Sequence, residues 1–321
     1  MNLDSMKAER LPRGLIVDLI TPLDKRGGID SEGLDTLLRK VLPYADGILL
    51  AGPEMGEGRG LDMKSKIDLL EKAATFIEGK APIFFWISGD SAEGTKHAVA
   101  RLQAVLESSC YRGVFFWLDS PLFYHSNRGL YDHYRDLVSN TQYPFVLYND
   151  PQLIKARKRP LKRTNVRTKI LKDLSAIGEI QGLVFRGSLT RANNYQKAVN
   201  TRPDFRIYDG EEAGFLEHPS LSGVLSIGAN VAPRTWSTVT RASLGMLKEQ
   251  GEEPDYLNEI WDMGKLLKDM MHLYSRSPVG IVKKALFDLN IIGSPACTPI
   301  TGPLDEKNNL LAQFISKHNI D

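Results

Sequence analysis

The sequence predicts a (β/α)8 barrel with a C-terminal helical extension, on three observations. Eight short apolar segments alternate with amphipathic segments over about 250 residues, as a closed barrel of β/α units requires. The apolar segments carry hydrophobic residues at consecutive positions, which is typical of parallel strands covered on both faces. No GxGxxG motif follows the first segment, which counts against a dinucleotide-binding fold. A doubly wound α/β sheet is the alternative.

The strands are expected where short runs rich in branched and aromatic residues occur. In chain order, these runs are 14–20, 47–51, 82–87, 113–118, 145–148, 180–185, 205–208 and 223–227.

Helices are expected where apolar residues recur with helical spacing between these strands. The predicted helices are 31–42, 63–78, 92–107, 128–141, 192–199 and 233–248. A segment at 251–255, GEEPD, is typical of a linker, and helical patterns continue through 256–275, 278–289 and 304–318. We therefore expect a barrel over 1–250 and a helical extension over 251–321 that packs on it.

Composition and charge exclude several classes of protein. The chain has 321 residues and 25% charged positions, which are ordinary values for a soluble globular protein, and its formal charge of +2 argues against a generic nucleic-acid binder. No apolar run approaches the length of a membrane span, and residues 1–10 have no apolar core of a signal peptide. We expect a cytoplasmic protein without a membrane partner.

The cysteines and histidines give no sign of a metal site. Cys110 and Cys297 are far apart and lack metal-ligand spacing, so they are interpreted as packing thiols. The six histidines form no HxH or HExxH pattern. Neither a metal nor a cofactor is expected.

A basic cluster follows the fifth predicted strand, and its role stays open. It is interpreted as a solvated loop and helix start, or as an electrostatic funnel for an anionic substrate at the barrel mouth. No aromatic residues interleave it, which disfavours nucleic acid. Its members are Lys155, Arg157, Lys158, Arg159, Lys162, Arg163, Arg167 and Lys169.

Six segments, in order, resemble the dihydrodipicolinate synthase/N-acetylneuraminate lyase family. They are LITPLD at 19–24 with GID at 28–30, GILLAGPEMGE at 47–57, SPLFY at 120–124 with GLYDHY at 129–134, PFVLYNDP at 144–151, GVLSIGANVAP at 223–233, and SPV at 277–279 with KKAL at 283–286. The resemblance implies a (β/α)8 barrel with C-terminal helices and a homo-oligomer.

The resemblance also implies a chemistry that this sequence retains only in part. In the family, a lysine of the sixth strand forms an imine with a keto acid, and a tyrosine at the end of the fifth strand transfers protons. Tyr148 matches that tyrosine and is the candidate catalytic residue. No lysine occurs from Asp173 to Gln196, and Val184 takes the position of the family lysine.

Arg186 shares strand parity with Val184, so it is expected to point into the barrel mouth. A guanidinium stays protonated and cannot act as the amine nucleophile, but it can hold a carboxylate or phosphate. The two interpretations left open are this ligand role and a salt bridge at the rim. Lys155 is a weaker candidate for a substitute lysine.

The remaining candidate ligand contacts come from the other loops. Gly56 and Glu57 match the family's second loop, while Pro53, Glu54 and Met55 replace its paired threonines. Glu54 would repel an anionic ligand unless it pairs with Arg59 or Arg186. Further candidates are Tyr124, Asn230 and Glu211. Glu211 and Glu212 are interpreted either as acid/base or sugar-binding groups, or as acidic residues that complement a helix N-terminus.

Two hypotheses follow for the function. The first is a lyase-family barrel acting on or binding a small keto-acid, sugar-acid or other anionic metabolite without the usual lysine imine, by carbon–carbon or carbon–oxygen bond cleavage if active. The second is a catalytically silent paralogue that serves as a ligand-binding or oligomer-partner protein.

Overall fold

The strands close into a parallel barrel in sequence order, β1 to β8, and β8 pairs with β1. The computed structural model describes residues 10–157, 163–219, 222–246, 255–299 and 309–320. The strands are β1 (Gly14–Asp18), β2 (Gly47–Leu50), β3 (Ile83–Trp86), β4 (Phe115–Asp119), β5 (Phe145–Asn149), β6 (Ile180–Phe185), β7 (Arg206–Asp209) and β8 (Gly223–Ser226). The predicted barrel is confirmed, and each predicted strand is found within about two residues of its bounds.

Helices lie between the strands and continue after β8. Between strands they are α1 (Ser31–Val41), α2 (Met63–Ile77), α3 (Ala92–Ser108), α4 (Pro121–Tyr124), α5 (Leu130–Val138), α6 (Pro151–Lys155), α7 (Thr168–Ser175), α8 (Leu189–Ala198) and α9 (Glu212–Glu217). After β8 come α10 (Pro233–Ser243), α11 (Asp255–Tyr274), α12 (Pro278–Asp288) and α13 (Leu310–Lys317). The predicted linker at 251–254, with the boundary after residue 250, and the predicted start of the last helix at 304 lie outside the described residues.

Several helix bounds differ from the prediction for local reasons. The fifth helix begins at Leu130 rather than at 128, because Gly129 adopts a left-handed φ of 72° that ends the preceding turn. The short helices α4, α6 and α9 and the eight-residue α7 carry too few turns to show a clear helical period in the sequence.

Side chains alternate between two apolar layers along each strand. Leu15 and Val17 point outward to the helices, whereas Ile16 joins Leu49, Phe84 and Tyr208 inside the barrel. The interior is a packed core, in which Phe84 stacks on Phe116 with ring centroids 5.1 Å apart.

The N-terminal end of the barrel interior is filled by Leu11, and this requires a glycine on β6. A Cβ placed on Gly182 would lie 2.6 Å from Cδ1 of Leu11 and 2.7 Å from the carbonyl oxygen of Arg206. Apolar packing thus closes this end, and polar side chains gather at the C-terminal ends of the strands.

The C-terminal helices are held to the barrel by buried polar contacts. Tyr274, at the end of α11, donates a 2.7 Å hydrogen bond to Oε2 of Glu212 at the start of α9. Lys283 of α12 forms an ion pair with Glu57 of the β2–α2 loop, and both side chains are fully buried. Within the described residues, no helix is long and apolar enough to cross a membrane.

Candidate functional site

A cavity of about 400 Å³ opens between the C-terminal ends of the strands and helix α11. Its barrel side includes Asp18, Tyr148, Arg186 and Leu225, and its outer side includes Lys268, Met271 and Tyr274 of α11. We refer to it as the first cavity. Active sites of this fold lie at this end of the barrel, because the loops that follow the strands converge there.

Three carboxylates, each from a different loop, surround the guanidinium of Arg186 in the site. Its Nη1 donates to Oδ2 of Asp150 at 3.0 Å and to Oε2 of Glu54 at 3.1 Å, and its Nε lies 3.8 Å from Oε1 of Glu211. Burial disfavours the charge, but Tyr148, Asp150, Glu54 and Glu211 together outweigh it and raise the pKa of Arg186. Both interpretations of Arg186 from the sequence have a counterpart in the structure. Arg186 forms ion pairs, as the salt-bridge interpretation expects, and it also lines the first cavity, where a ligand role requires it to be.

The two carboxylate oxygens of Asp150 bind different partners. Its Oδ1 caps helix α6 by accepting from the backbone N–H groups of Gln152 at 2.7 Å and Leu153 at 3.3 Å, while its Oδ2 accepts from Arg186. The side chain is completely buried. This links the end of β5 rigidly to the end of β6.

Tyr148 lies in the first cavity and is 3% exposed. Burial raises its pKa well above 10, and the charge of Arg186 offsets only part of this effect. The phenol is therefore protonated at neutral pH and is available as a proton donor. The neighbouring residue on β6 is Val184, which pairs in register with Tyr148 and packs in the barrel interior.

Asp18 is a cavity residue that the sequence analysis did not identify. It shares parity with Ile16 and therefore points into the barrel, where it is 4% exposed and lines the first cavity. Burial raises its pKa well above the usual value, against the opposing charge of Arg186. Its Oδ1 accepts no hydrogen bond from any described residue. A single carboxylate inside the apolar run GLIVDLI was the available signal.

Glu212 is a second buried carboxyl beside the cavity. It accepts from Oγ of Ser226 at 2.5 Å, from the backbone N–H of Gly228 at 2.7 Å and from Tyr274. Burial raises its pKa despite these hydrogen bonds. Glu211 precedes α9 and Glu212 begins it, so the helix N-terminus interpretation is confirmed, while both residues also line the first cavity.

The other predicted ligand contacts lie away from the lining of the first cavity. Tyr124 donates at 2.8 Å to Oδ2 of the buried Asp119 and lies 3.0 Å from Nε2 of His133. Asn230 is fully buried and links the segment after β8 to the end of β1. Its amide donates to the carbonyl oxygen of Asp18, and its Oδ1 accepts from the N–H of Ile20.

The β2–α2 loop also makes contacts that stabilise the fold. The carbonyl oxygen of Gly56 accepts from the hydroxyl of Thr21 at 2.7 Å. Glu57 binds Lys283 and the backbone N–H of Thr298, the latter at 2.6 Å. Glu54 pairs with Arg186, as one of its two expected partners, and lines a second cavity beside the first.

The basic cluster is only partly described. Arg157 pairs with Asp90 and stacks its guanidinium 4.5 Å from the ring of Phe123, while Arg167 precedes α7. Lys155 is exposed at the end of α6 and lines neither cavity. Residues 158–162 lie outside the described residues.

The lysine that does line the first cavity is Lys268, from the C-terminal helix α11. Lys268 was not predictable from the sequence, because it is an exposed residue of a regular helix, far along the chain from any strand end. Within the described ranges, no three acidic, histidine or cysteine side chains are grouped so that they could hold a metal ion.

Comparison with known proteins supports one family over nearly the whole chain. The sequence profile of the Dihydrodipicolinate synthetase family matches residues 11–317. A 4-hydroxy-tetrahydrodipicolinate synthase of Ectopseudomonas mendocina (strain ymp) is 28% identical over 294 residues, which are 90% of this chain and 92% of the relative. One from Psychromonas ingrahamii is 26% identical over 299 residues, which are 92% and 94%.

Solved structures agree in fold. A dihydrodipicolinate synthase from Thermotoga maritima superposes with a TM-score of 0.78 at 20% identity, covering 97% of this chain and 100% of the other. YagE from E. coli K12, a member of the dihydrodipicolinic acid synthase family solved in complex with pyruvate, gives 0.78 at 17% identity, covering 96% and 99%. The profile match and the closed barrel together place this chain in the dihydrodipicolinate synthetase family.

Proposed function

We propose that the protein is a lyase that acts on a small keto-acid, sugar-acid or other anionic metabolite without the family's lysine imine mechanism. The observation that carries the proposal is the composition of the first cavity. Tyr148 supplies a protonated phenol to this cavity, and Asp18 supplies a carboxyl with an oxygen that accepts no hydrogen bond from a described residue. Val184, at the family's lysine position, pairs with Tyr148 in the barrel interior and has no amine.

Asp18 and Tyr148 form a proton-transfer pair in this proposal. The raised pKa of Asp18 makes its ionised form a stronger base than an ordinary carboxylate, and Tyr148, whose raised pKa means that it keeps its phenolic proton, is the group that donates a proton. In a carbon–oxygen cleavage, ionised Asp18 takes the proton from a C–H bond whose electrons form the double bond. Tyr148 then gives its proton to the departing hydroxyl, which leaves as water.

Arg186 orients the ligand in this scheme. Its Nη1 is held by Asp150 and Glu54, so the guanidinium is fixed in place while its edge lines the cavity. A fixed guanidinium is suited to bind a carboxylate or phosphate on the ligand.

The decisive experiment is borohydride reduction in the presence of pyruvate, followed by intact-mass measurement. The proposal expects no added mass. A stable adduct would contradict it, and peptide mapping would show whether the amine is Lys268, the lysine that lines the first cavity. A screen of keto acids and hydroxylated sugar acids for turnover then compares wild type with Tyr148→Phe and Asp18→Asn, which should each reduce kcat by about 100-fold.

A second candidate function is a silent paralogue that binds a ligand or a partner subunit. The observation that favours it is the neutralisation of Arg186 by Asp150 and Glu54, which occupies the group best suited to bind an anion. Ligand-dependent stabilisation without turnover of any screened compound would support it. The homo-oligomer implied by the family is also part of the proposal, and light scattering on the purified protein tests it.

A further inference from the structure

A second cavity, of about 420 Å³, lies beside the first, between the β2–α2 loop and the start of helix α12. Arg186, Met55 and Pro278 line both cavities. The second cavity has different walls from the first, because it faces the loop that replaces the family's paired threonines and the segment that joins α11 to α12.

The charges that line the second cavity do not cancel. Glu54 is paired with Arg186, which also pairs with Asp150, and Glu57 is paired with the buried Lys283, so each of the two carboxylates that line this cavity already has a cationic partner. Arg59 and Arg276 also line this cavity, and neither forms an ion pair with a described residue. Two guanidinium groups that have no counter-charge among the described residues therefore line the same cavity.

The surrounding polar groups suit the same kind of ligand. Helix α12 has 11 residues, and its N-terminal end lies at this cavity through Ser277, Pro278 and Val279. The Ser277 side chain makes no capping hydrogen bond. The partial positive charge of a helix N-terminus adds to that of the two arginines.

We propose that the second cavity binds the oxyanion end of a small molecule, such as a phosphate group or a compound with several carboxylates. Arg59 and Arg276 bind its oxygens in bidentate fashion, since a guanidinium presents parallel N–H donors that match a carboxylate or phosphate. The second cavity adjoins the first, with which it shares Met55, Arg186, Ser275 and Pro278, and the proposal holds whether or not the first cavity is catalytic.

Isothermal titration calorimetry at constant ionic strength tests the proposal, with inorganic phosphate and citrate as the two probes. Wild type should bind at least one of them, and Arg59→Gln and Arg276→Gln should each weaken binding about tenfold or more, as loss of a charged hydrogen bond predicts. Arg112→Gln is the matched control, because this exposed arginine lies in the α3–β4 loop at the opposite end of the barrel.

The outcomes separate clearly. Binding by wild type that is lost in both cavity variants and kept in Arg112→Gln supports the proposal, and preference for phosphate over citrate or the reverse identifies the oxyanion. Absence of heat with both probes overturns it, as does unchanged affinity in Arg276→Gln. Arg276 is exposed, so this variant remains informative even where Arg59→Gln lowers the Tm.

Discussion

Nη1 of Arg186 lies 3.0 Å from Oδ2 of Asp150, a carboxylate with no exposed side-chain surface. The ionised form of Asp150 is stable there only with its cationic partner, because removing the cation from a buried carboxylate lowers the free energy of unfolding by several kcal/mol. The pair therefore stabilises the fold at the same point where it shapes the cavity.

Replacement of Arg186 by glutamine should lower the free energy of unfolding by about 3 kcal/mol, since Asp150 stays buried without a cation. Arg186→Lys should lower the free energy of unfolding by less, because lysine keeps the positive charge although it lacks the several N–H donors of a guanidinium. Urea denaturation measures both, with Arg112→Gln as a control at an exposed position. Equal stability of wild type and Arg186→Gln would show that water replaces the guanidinium.

The buried pair of Lys283 and Glu57 predicts strong coupling between the C-terminal helices and the β2–α2 loop. Lys283→Met and Glu57→Gln should each cost about 3–5 kcal/mol, and the double variant should cost less than the sum. Lys265→Met breaks the exposed pair with Asp262 and should cost under about 1 kcal/mol. Additive effects in the double variant would contradict the coupling.

The raised pKa of Asp18 makes stability depend on pH. The folded state keeps this proton at pH values where the unfolded chain, with a pKa near 3.8, has lost it. The contribution of Asp18 is therefore full below that value and falls, by about 1.4 kcal/mol for each pH unit, until the folded pKa is passed.

Asp18→Asn removes this ionisation. The stability of the variant relative to wild type should rise as the pH increases above about 4 in thermal denaturation followed by circular dichroism, and should level off once folded Asp18 is ionised. The control is Asp132→Asn, which removes an exposed carboxyl of α5. A stability difference that does not change with pH would mean that Asp18 has the same pKa in both states.

Lys66 makes the stability of the fold rise with pH in the alkaline range, which is the opposite of the effect of Asp18. It is 8% exposed above the ring of Trp86, and burial lowers its pKa to about 8. The folded state releases this proton before the unfolded chain does, so wild type should gain stability relative to Lys66→Met between about pH 8 and pH 10.5. Lys64→Met, an exposed change on the same helix, should show no such trend in chemical denaturation.

The strands were predictable because each is apolar on both faces and short, which only a covered parallel sheet explains. Tyr148 was predictable as a cavity residue from the family resemblance, and Arg186 from its strand parity with Val184. Lys283 and Glu57 were not, because they are 226 positions apart and nothing local to either segment specifies the partner. Asp18 was missed because strand periodicity alone does not distinguish a carboxyl in the cavity from one at the strand end.

Helix α11 provides one whole side of the first cavity, through Lys268, Met271 and Tyr274. The barrel residues Asp18, Tyr148 and Arg186 and the opposite wall therefore belong to separate stretches of the chain. Under the proposed function, exchanging the α11 segment for that of a relative, with Tyr274 kept for its hydrogen bond to Glu212, alters the size and charge of the cavity without changing the proposed proton-transfer residues. Ligand selection is then set in part by a helix outside the barrel.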